Sequence, residues 1–273
     1  MSAPSTAEEL ARQVAEREQW YHTLELAPGV LTPGWFDLRE IANRFPFPAS
    51  LEGKRCLDVG TFDGFWAFEM ERRGASEVIA VDILDPQRWD WPADHNAATV
   101  TELARRKGVG EGFLIAREAL GSRVERRELS IYDLDPDDVG RFDVVYVGSL
   151  LLHLRDPVLA LERVRSVCSD LLIACDAIDA GATRLHPRLP MATLDGRGRP
   201  WWWKPNLAGF VRMVESAGFA LEQPPIRVRM KPGAGYPKLR PSARAVLSRP
   251  GRTEFVNAWI GDPHAVVAAR PTV

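Results

Sequence analysis

The segment Asp58–Gly64 and the later Asp82 contain the residue types that can hold a ligand with a charged tail. Gly60 and Gly64 let the backbone approach a ligand where a side chain would collide. The amides that start the following helix can bind a carboxylate, because a helix N-terminus carries partial positive charge. Asp82 ends a second apolar run, where a carboxylate can accept hydrogen bonds from both hydroxyls of a ribose. These residues predict a site for a nucleoside with a charged tail.

The spacing of the glycines distinguishes between two cofactors. A nicotinamide dinucleotide fingerprint has glycines at the first, third and sixth positions. Counting from Gly60, the third position is Phe62, the sixth is Phe65, and the next glycine is at the fifth, Gly64. This spacing favours S-adenosylmethionine (SAM) over NAD. The predicted cofactor-binding residues are Tyr21, Asp58, Gly60, Phe62, Asp63, Gly64, Asp82, Ile83, Trp89, Asp133 and Gly148.

Several of these residues have specific expected roles. Asp133 follows the third predicted strand and is expected to face the adenine amino group. Asp63 is expected to cap the following helix and to shape the cofactor turn. Trp89 or Trp91 is expected to cover the adenine or ribose, with ordinary surface packing as the alternative. Tyr21 is expected to contact the methionine end of SAM.

Three side chains are candidate bases for the methyl acceptor. A sulfonium already activates the methyl group of SAM, so an enzyme must mainly align the acceptor and, for a hydroxyl, remove its proton. His153 is the leading candidate because histidine titrates near neutral pH, and His22 and Asp176 are the other two. Each has a structural alternative: a bond to a loop carbonyl for His153, packing for His22 and a helix or turn cap for Asp176.

Tryptophans supply the candidate acceptor pocket. The predicted substrate-binding residues are Trp35, Trp201, Trp202 and Trp203. Neighbouring side chains of an extended chain point in opposite directions, so one or two of the last three can face the pocket. They would stack on a flat or sugar ring, and filling of the core is the alternative.

The elements that must position these residues alternate along the chain. The predicted strands are 55–59, 77–82, 124–129, 142–147, 171–175, 219–221 and 264–269, and the predicted helices are 5–22, 65–73, 96–107, 157–167 and 206–217. This alternation predicts an α/β fold, doubly wound, with a mainly parallel, seven-stranded Rossmann-like sheet. Residues 1–50 are expected to form an N-terminal helix and a loop-rich lid of the same domain. Residues 51–273 are expected to form the SAM-binding domain, with insertions at 176–205 and 223–262.

The segment Asp58–Glu69 resembles the first motif of class I SAM-dependent methyltransferases. Its Asp-Gly-Phe-Trp part is similar to a subfamily related to tRNA wobble-uridine carboxymethyltransferases and to methyltransferases of sugars and natural products. Further similar segments are Trp20–Thr23, Thr32–Trp35, Phe142–Val145, Leu152–Pro157, Trp202–Asn206 and Ala217–Phe219. In the tRNA-modifying relatives a tyrosine at the position of Leu152 helps to bind carboxylated SAM. A leucine cannot donate that hydrogen bond, so the resemblance implies ordinary SAM.

Composition and charge limit the partners. The net charge of −2 argues against nucleic acid, and the basic cluster 227–231 is expected to be a solvated strand edge. No apolar run reaches the ~18 residues of a membrane span, and residues 1–18 do not resemble a signal peptide. The three cysteines are not spaced as metal ligands. We therefore expect a cytoplasmic protein with a small-molecule acceptor and without a metal or a membrane partner. The sequence does not decide whether the protein forms a homodimer.

The main hypothesis from the sequence is SAM-dependent methylation of a small-molecule hydroxyl, on a sugar or a natural product. Two alternatives remain. One is modification of the wobble uridine of tRNA, as in the relatives. The other is a SAM-binding protein that transfers no methyl group.

Overall fold

The structure is a computed structural model that describes residues 6–237 and 256–272. The α-helices of these ranges include α1 (Ala7–Glu16), α2 (Phe65–Arg72), α3 (Ala97–Lys107), α4 (Glu111–Ala119), α5 (Pro136–Val139), α6 (Pro157–Val167), α7 (Ala180–Leu185) and α8 (Leu207–Ser216). The strands are β1 (Trp20–His22), β2 (Glu25–Ala27), β3 (Val30–Leu31), β4 (Gly34–Asp37), β5 (Arg55–Val59), β6 (Glu77–Asp82), β7 (Glu125–Glu128), β8 (Phe142–Gly148), β9 (Cys168–Ala177), β10 (Ala192–Leu194), β11 (Trp203–Pro205), β12 (Phe219–Leu221), β13 (Ile226–Pro232) and β14 (Asp262–Pro271).

Ten of these strands form one sheet within the described part of the chain. Its order is β1-β4-β13-β14-β9-β8-β5-β6-β7, and β12 also pairs with β14. The five strands from β9 to β7 are parallel, whereas β14 is antiparallel to β9. Because parallel strands end at the same edge, the carboxyl ends of β5, β6 and β8 meet there. This is the edge at which the predicted cofactor residues lie.

The core lies on both faces of the sheet. One apolar layer packs α1, α2 and α4 against it, and the other packs α6 and α8. The central strands are apolar on both faces: β8 and β9 are buried over most of their length, as expected for a parallel sheet covered by helices. The α/β, mainly parallel, Rossmann-like prediction is confirmed, and all seven predicted strands are present.

The N-terminal part departs from the predicted helix and loop-rich lid. The first helix ends at Glu16 rather than at residue 22, and Trp20–His22 forms β1. β1 pairs with β4, and β4 pairs with β13, so this segment extends the central sheet from seven to ten strands together with β13. The pairing of β4 with β13 joins residues about 200 positions apart and has no local sequence signal.

The two predicted insertions contain regular elements. Residues 176–205 include α7 and the hairpin of β10 and β11. The other insertion, 223–262, contains β13, in which Val228 and Met230 are buried and the alternating Arg227, Arg229 and Lys231 are exposed. This confirms a solvated strand, although its last residues pair with β4 and are no free edge. Residues 238–255 of this insertion lie outside the described residues.

The described residues contain neither a membrane-spanning helix nor a cluster of metal ligands. Every described helix is too short or too polar to cross a bilayer. The described side chains also include no group of three or more His, Cys, Asp or Glu placed to hold a metal ion.

Candidate cofactor and active site

A cavity of about 370 Å³ lies at the carboxyl edge of β5, β6 and β8. Twelve of the predicted site residues line it: Tyr21, His22, Trp35, Asp58, Gly60, Phe62, Asp82, Ile83, Trp89, Gly148, His153 and Trp201. Six others do not line it: Asp63, Gly64, Asp133, Asp176, Trp202 and Trp203. The fold therefore brings most of the predicted residues together, from both the N-terminal strands and the central sheet.

The turn after β5 forms one wall of this cavity. Gly60 has a φ of +79°, and its amide donates to the carbonyl of Val81 at 2.8 Å. Phe62 also adopts a left-handed backbone, with a φ of +50°, and its amide donates to Asp82 at 3.1 Å. A non-glycine residue in this region is strained, and such strain concentrates at functional sites. The turn is thus held in shape by the end of β6.

A buried carboxylate supports the same turn from below. Asp58 accepts hydrogen bonds from the Thr61 hydroxyl at 2.7 Å and from the Ala67 amide at 3.1 Å. Burial raises the pKa of Asp58 to about 7, and the Thr61 hydrogen bond opposes this rise. Asp58 therefore ties the turn to the first residues of α2.

Asp63 does not cap α2, contrary to the sequence prediction. The residue before that helix is Gly64, and no side-chain cap bond is present. The carboxylate of Asp63 instead accepts the backbone amides of Tyr21 and His22, the latter at 3.0 Å. Burial raises the pKa of Asp63 to about 6. The carboxylate thus attaches β1 to the cofactor turn and brings Tyr21 and His22 to the cavity.

Gly64 is required by packing rather than by ligand approach. Its φ is +90°, and a Cβ at this position would lie 2.5 Å from the Phe68 ring and 2.9 Å from the Phe113 ring. Gly64 does not line the cavity, so its predicted contact with the cofactor stays a prediction.

Asp82 lies at the end of β6, as predicted, but its carboxylate already has an ionic partner. The Lys107 ammonium lies 2.9 Å from each carboxylate oxygen of Asp82 and donates to the Ile83 carbonyl at 2.8 Å. Sequence reasoning missed Lys107. Its only signal is a lysine that ends a helix in a row of three basic residues, and this pattern normally indicates a solvated helix end.

The expected adenine side of the cavity differs from the prediction in detail. Asp133 is exposed and lies off the cavity, whose wall here is formed by Ser130, Ile131 and Tyr132. Trp89 lines the cavity, whereas Trp91 is buried beside it and donates from Nε1 to the Pro86 carbonyl at 2.6 Å. Of the two alternatives for the Trp89–Trp91 segment, Trp89 is the one placed to cover a ligand.

His153 lies at the cavity wall on the short 3-10 helix Leu151–His153. Its Nδ1 lies 2.6 Å from the Pro200 carbonyl oxygen. Since a carbonyl only accepts, Nδ1 carries the proton and Nε2 keeps its lone pair. Burial lowers the pKa of His153 and so favours the neutral ring. The hydrogen bond to Pro200 opposes this decrease. The bond to a loop carbonyl, which was the structural alternative for His153, is present.

His22 also lines the cavity, in a more apolar setting. Its ring packs edge-on to Tyr21 and beside Phe65, and its Nδ1 is buried without a hydrogen-bond partner in the described chain. Burial lowers the pKa of His22 to about 3. The ring is neutral, and its Nδ1 is a buried nitrogen whose hydrogen-bonding capacity is unused within the described chain.

The structure turns Asp176 away from the cavity. Its carboxylate accepts the amides of Leu151, at 2.7 Å, and Ala177, at 2.7 Å. Burial raises the pKa of Asp176 to about 7, although these backbone bonds oppose the rise. The side chain caps the turn that carries His153, so the turn-cap alternative describes it and a direct role in proton removal does not.

The four predicted tryptophans fall into two groups. Trp35 and Trp201 line the cavity. Trp202 donates from Nε1 to the Asp90 carbonyl at 2.6 Å, and Trp203 donates to the Arg155 carbonyl at 3.0 Å. Trp202 and Trp203 thus hold the loops around the cavity. Trp201 is partly exposed, and its ring centroid lies 6.5 Å from that of His153.

Ser149 is a further wall residue that the sequence did not indicate. It follows β8 with a φ of +50°, and its hydroxyl lies 3.3 Å from Nε2 of His264. The Asp262 carbonyl lies 3.1 Å from Nδ1 of the same ring. Strained backbone of this kind depends on tertiary packing and cannot be identified from residue types.

A model of a family described as "Methyltransferase domain" matches residues 37–223, which is more than half of the chain. The chain belongs to this methyltransferase-domain family. The cofactor of these domains is SAM, and the resemblance seen in the sequence is confirmed. The cavity fits that cofactor, because the left-handed turn after β5 and the carboxylate at the end of β6 both line it.

Individual relatives are more distant. The chain is 27% identical over 176 residues to a tRNA U34 carboxymethyltransferase of Dichelobacter nodosus, covering 63% of this chain and 48% of that protein. It is 25% identical over 117 residues to a ubiquinone biosynthesis O-methyltransferase of Acinetobacter baumannii, covering 43% and 40%. The chain thus spans about half the length of the curated relatives it matches.

A solved structure supports the fold. The N-terminal domain of EvdMO1, crystallised with S-adenosylhomocysteine (SAH) bound, aligns over 100% of both chains with a TM-score of 0.53 and 16% identity. At this identity the similarity concerns the fold alone.

Proposed function

We propose that this protein transfers the methyl group of SAM to a hydroxyl of a small molecule. SAM supplies a methyl group that its sulfonium has already activated. The protein's residues have two tasks: to hold cofactor and acceptor in one cavity and to remove a proton from the acceptor. The observation that carries the proposal is the 2.6 Å contact between Nδ1 of His153 and the Pro200 carbonyl, since this bond leaves the lone pair on Nε2 of a residue that lines the cofactor cavity.

The cofactor-binding roles follow from the cavity wall. The left-handed turn at Gly60 and Phe62 borders the place proposed for the methionine end, and Asp82 offers a carboxylate to the ribose. Trp89 and Ile131 flank the place expected for the adenine. Tyr21 is expected at the methionine end.

His153 is the proposed base. The Pro200 carbonyl holds its Nδ1 proton, so a proton taken from the acceptor would go to Nε2. Asp176 acts through it, because this carboxylate fixes the turn on which the ring is carried. His22 is the second candidate base, and its strong burial makes it the weaker one, since burial disfavours the imidazolium that a base must become.

The cavity wall favours a small acceptor with a ring. Trp201, whose ring centroid lies 6.5 Å from that of His153, and Trp35, whose ring centroid lies 6.4 Å from that of Tyr21, both line the cavity. Aromatic faces stack on flat rings and on the apolar faces of sugars. We therefore propose a sugar or an aromatic natural product, methylated on oxygen, in a cytoplasmic protein.

Modification of tRNA is the second candidate, and the names of the matched relatives favour it. Two features of this chain count against it. The net charge is −2, whereas phosphate contacts require basic side chains. Leu152, at the position of the tyrosine in those relatives, is absent from the cavity wall.

The experiment that tests the proposal supplies SAM with a labelled methyl group to the purified protein. Three arms receive a panel of sugars and phenols, bulk tRNA, or no acceptor, and Asp82→Ala is the matched inactive control. The proposal predicts label in a small molecule only. Label in tRNA, lost steeply as salt rises, would favour the second candidate. SAH binding without transfer to any acceptor would favour a SAM-binding protein without transferase activity.

A further inference from the structure

Lys107 is buried in a way that its sequence position does not explain. It ends α3 in a row with Arg105 and Arg106. Arg106 turns outward and pairs with Glu102 at 2.7 Å, whereas the Lys107 side chain is only 3% exposed. Its backbone carbonyl also accepts a bond from Arg17 at 2.7 Å. Burying an ammonium costs free energy unless the group is paired and hydrogen-bonded. The partners of Lys107 therefore indicate why its side chain turns inward.

The ammonium of Lys107 has its hydrogen bonds and aromatic contacts within the cofactor cavity. The Lys107 Nζ contacts Asp82 and the carbonyl of Ile83, and it lies 5.0 Å and 5.1 Å from the ring centroids of Phe62 and Trp89. All five residues line the cavity. The lysine is therefore part of the wall at which a ribose is expected, and it is held there by an ion pair and two aromatic faces.

The hydrogen-bond capacity of Asp82 is nearly filled before a ligand is considered. A carboxylate has about four lone-pair positions. The Lys107 ammonium contacts both oxygens, and the Phe62 amide donates to one. About one position remains, so Asp82 cannot accept bonds from both ribose hydroxyls without losing one of these partners.

Lys107 can supply the missing contact. Its Nζ is equally distant from the two oxygens of Asp82, at 2.9 Å, so a single N–H can be shared between them. A second N–H points to the Ile83 carbonyl, and the third is then free to donate to a hydroxyl oxygen. A hydroxyl both donates and accepts, so a diol fits one acceptor beside one donor.

We propose that Lys107 and Asp82 form the ribose subsite together, the carboxylate accepting from one hydroxyl and the ammonium donating to its neighbour. This inference rests on the proposed use of SAM. It makes Lys107 a cofactor-binding residue that recognises an intact ribose diol. A deoxyribose lacks one of the two groups and fits this subsite poorly.

The test measures binding of SAH and of its 2′-deoxy and 3′-deoxy analogues by isothermal titration calorimetry, so that no acceptor is needed. Lys107→Met keeps the apolar stem and removes the ammonium, and Arg106→Met removes a neighbouring charge that faces solvent. We expect Lys107→Met to weaken SAH binding about 10- to 100-fold, the range of one hydrogen bond to a charged group. Arg106→Met is expected to bind SAH as the wild type does.

The analogues separate a contact from a structural effect. If Lys107 bonds one hydroxyl, the analogue that lacks it binds weakly to the wild type and loses nothing further in Lys107→Met. Additive losses for both analogues, or unchanged SAH binding in Lys107→Met, would overturn the inference and leave the proposed function intact. Failure of the wild type to bind SAH would instead reject the proposed function.

A second pair of variants separates a loss of binding from a loss of folding. Lys107→Met leaves Asp82 as a buried carboxylate without its ionic partner, which can destabilise the fold. Asp82→Asn and the double variant Asp82→Asn/Lys107→Met are then compared, because no unpaired buried charge remains in the double variant. The inference predicts that loss of the lysine still weakens SAH binding in this background. Equal affinities in the two would reject it.

Discussion

Asp63 is the side chain whose loss should most clearly detach the N-terminal strands from the cofactor turn. Its carboxylate accepts the amides of Tyr21 and His22, and no other acceptor of these amides is present in the described structure. Asp63→Ala leaves two N–H groups without a partner, one of them fully buried. At about 1 to 3 kcal/mol for each unsatisfied donor, the free energy of unfolding should fall by about 2 to 6 kcal/mol.

A milder change at the same position tests the mechanism. A single oxygen of Asp63 accepts both amides, so Asp63→Asn can keep an acceptor there and loses only the charge. The expected cost is about 1 kcal/mol, because neutral hydrogen bonds are roughly half as strong as charge-assisted ones. Asp135→Ala is the control, because Asp135 is exposed and caps one amide of α5 at 2.8 Å.

The assay is urea unfolding followed by tryptophan fluorescence, since Trp20 and Trp35 lie in the attached segment. SAH affinity is measured in parallel and should fall in Asp63→Ala, because Tyr21 and His22 would leave the cavity wall. A loss below about 1 kcal/mol in Asp63→Ala, equal to that of the control, would refute the reasoning.

Three further predictions concern single residues. Burial lowers the pKa of His22 to about 3 from 6.5, so the folded state resists protonation, and wild-type stability should fall as pH drops below 6.5. His22→Phe removes this dependence, and its unfolding free energy should gain on the wild type by about 1.4 kcal/mol per pH unit between pH 6 and 4; a pH-independent difference in urea unfolding would contradict this. Gly64→Ala should lower the free energy of unfolding by about 2 to 5 kcal/mol, because of its left-handed backbone and its clash with two rings. Gly53→Ala, at a φ of +72° with open space around it, should lower it by about 1 to 2 kcal/mol. Equal losses of the two variants in thermal unfolding would disprove the clash. Once the acceptor is identified, His153→Ala should lower turnover ~10²-fold or more with unchanged SAH affinity. Normal turnover of this variant would exclude His153 as the base.

The central elements were predictable because local patterns determine them. α6 begins at a proline and ends where its apolar periodicity ends, and the predicted bounds 157–167 are those of the structure. The predicted strand 77–82 is likewise reproduced by β6. The glycine spacing also gave the cofactor turn, because left-handed backbone at Gly60 is a property of that residue type.

The parts that failed depend on contacts between distant segments. β1 and β4 join the sheet through β13, and residue types in residues 20–37 do not reveal that partner. Lys107 and Ser149 gain their roles from burial and backbone strain, which arise only when the chain is packed. Asp63 and Asp176 were placed near the site correctly, but their carboxylates bind backbone amides of other segments rather than ligand.

α4 was missed for a different reason. Gly108 and Gly110 both have positive φ values, and they interrupt the helical pattern after α3. The sequence analysis therefore predicted no element at the position of the second helix, Glu111–Ala119.

The most direct test of this account is a calorimetric titration of the wild-type protein and of Asp82→Ala with SAH and with NAD. We expect SAH to bind the wild type with one-to-one stoichiometry and NAD not to bind. Asp82→Ala is expected to weaken SAH binding while thermal unfolding still shows a folded protein. Binding of NAD instead of SAH, or equal SAH affinity in both proteins, would contradict it.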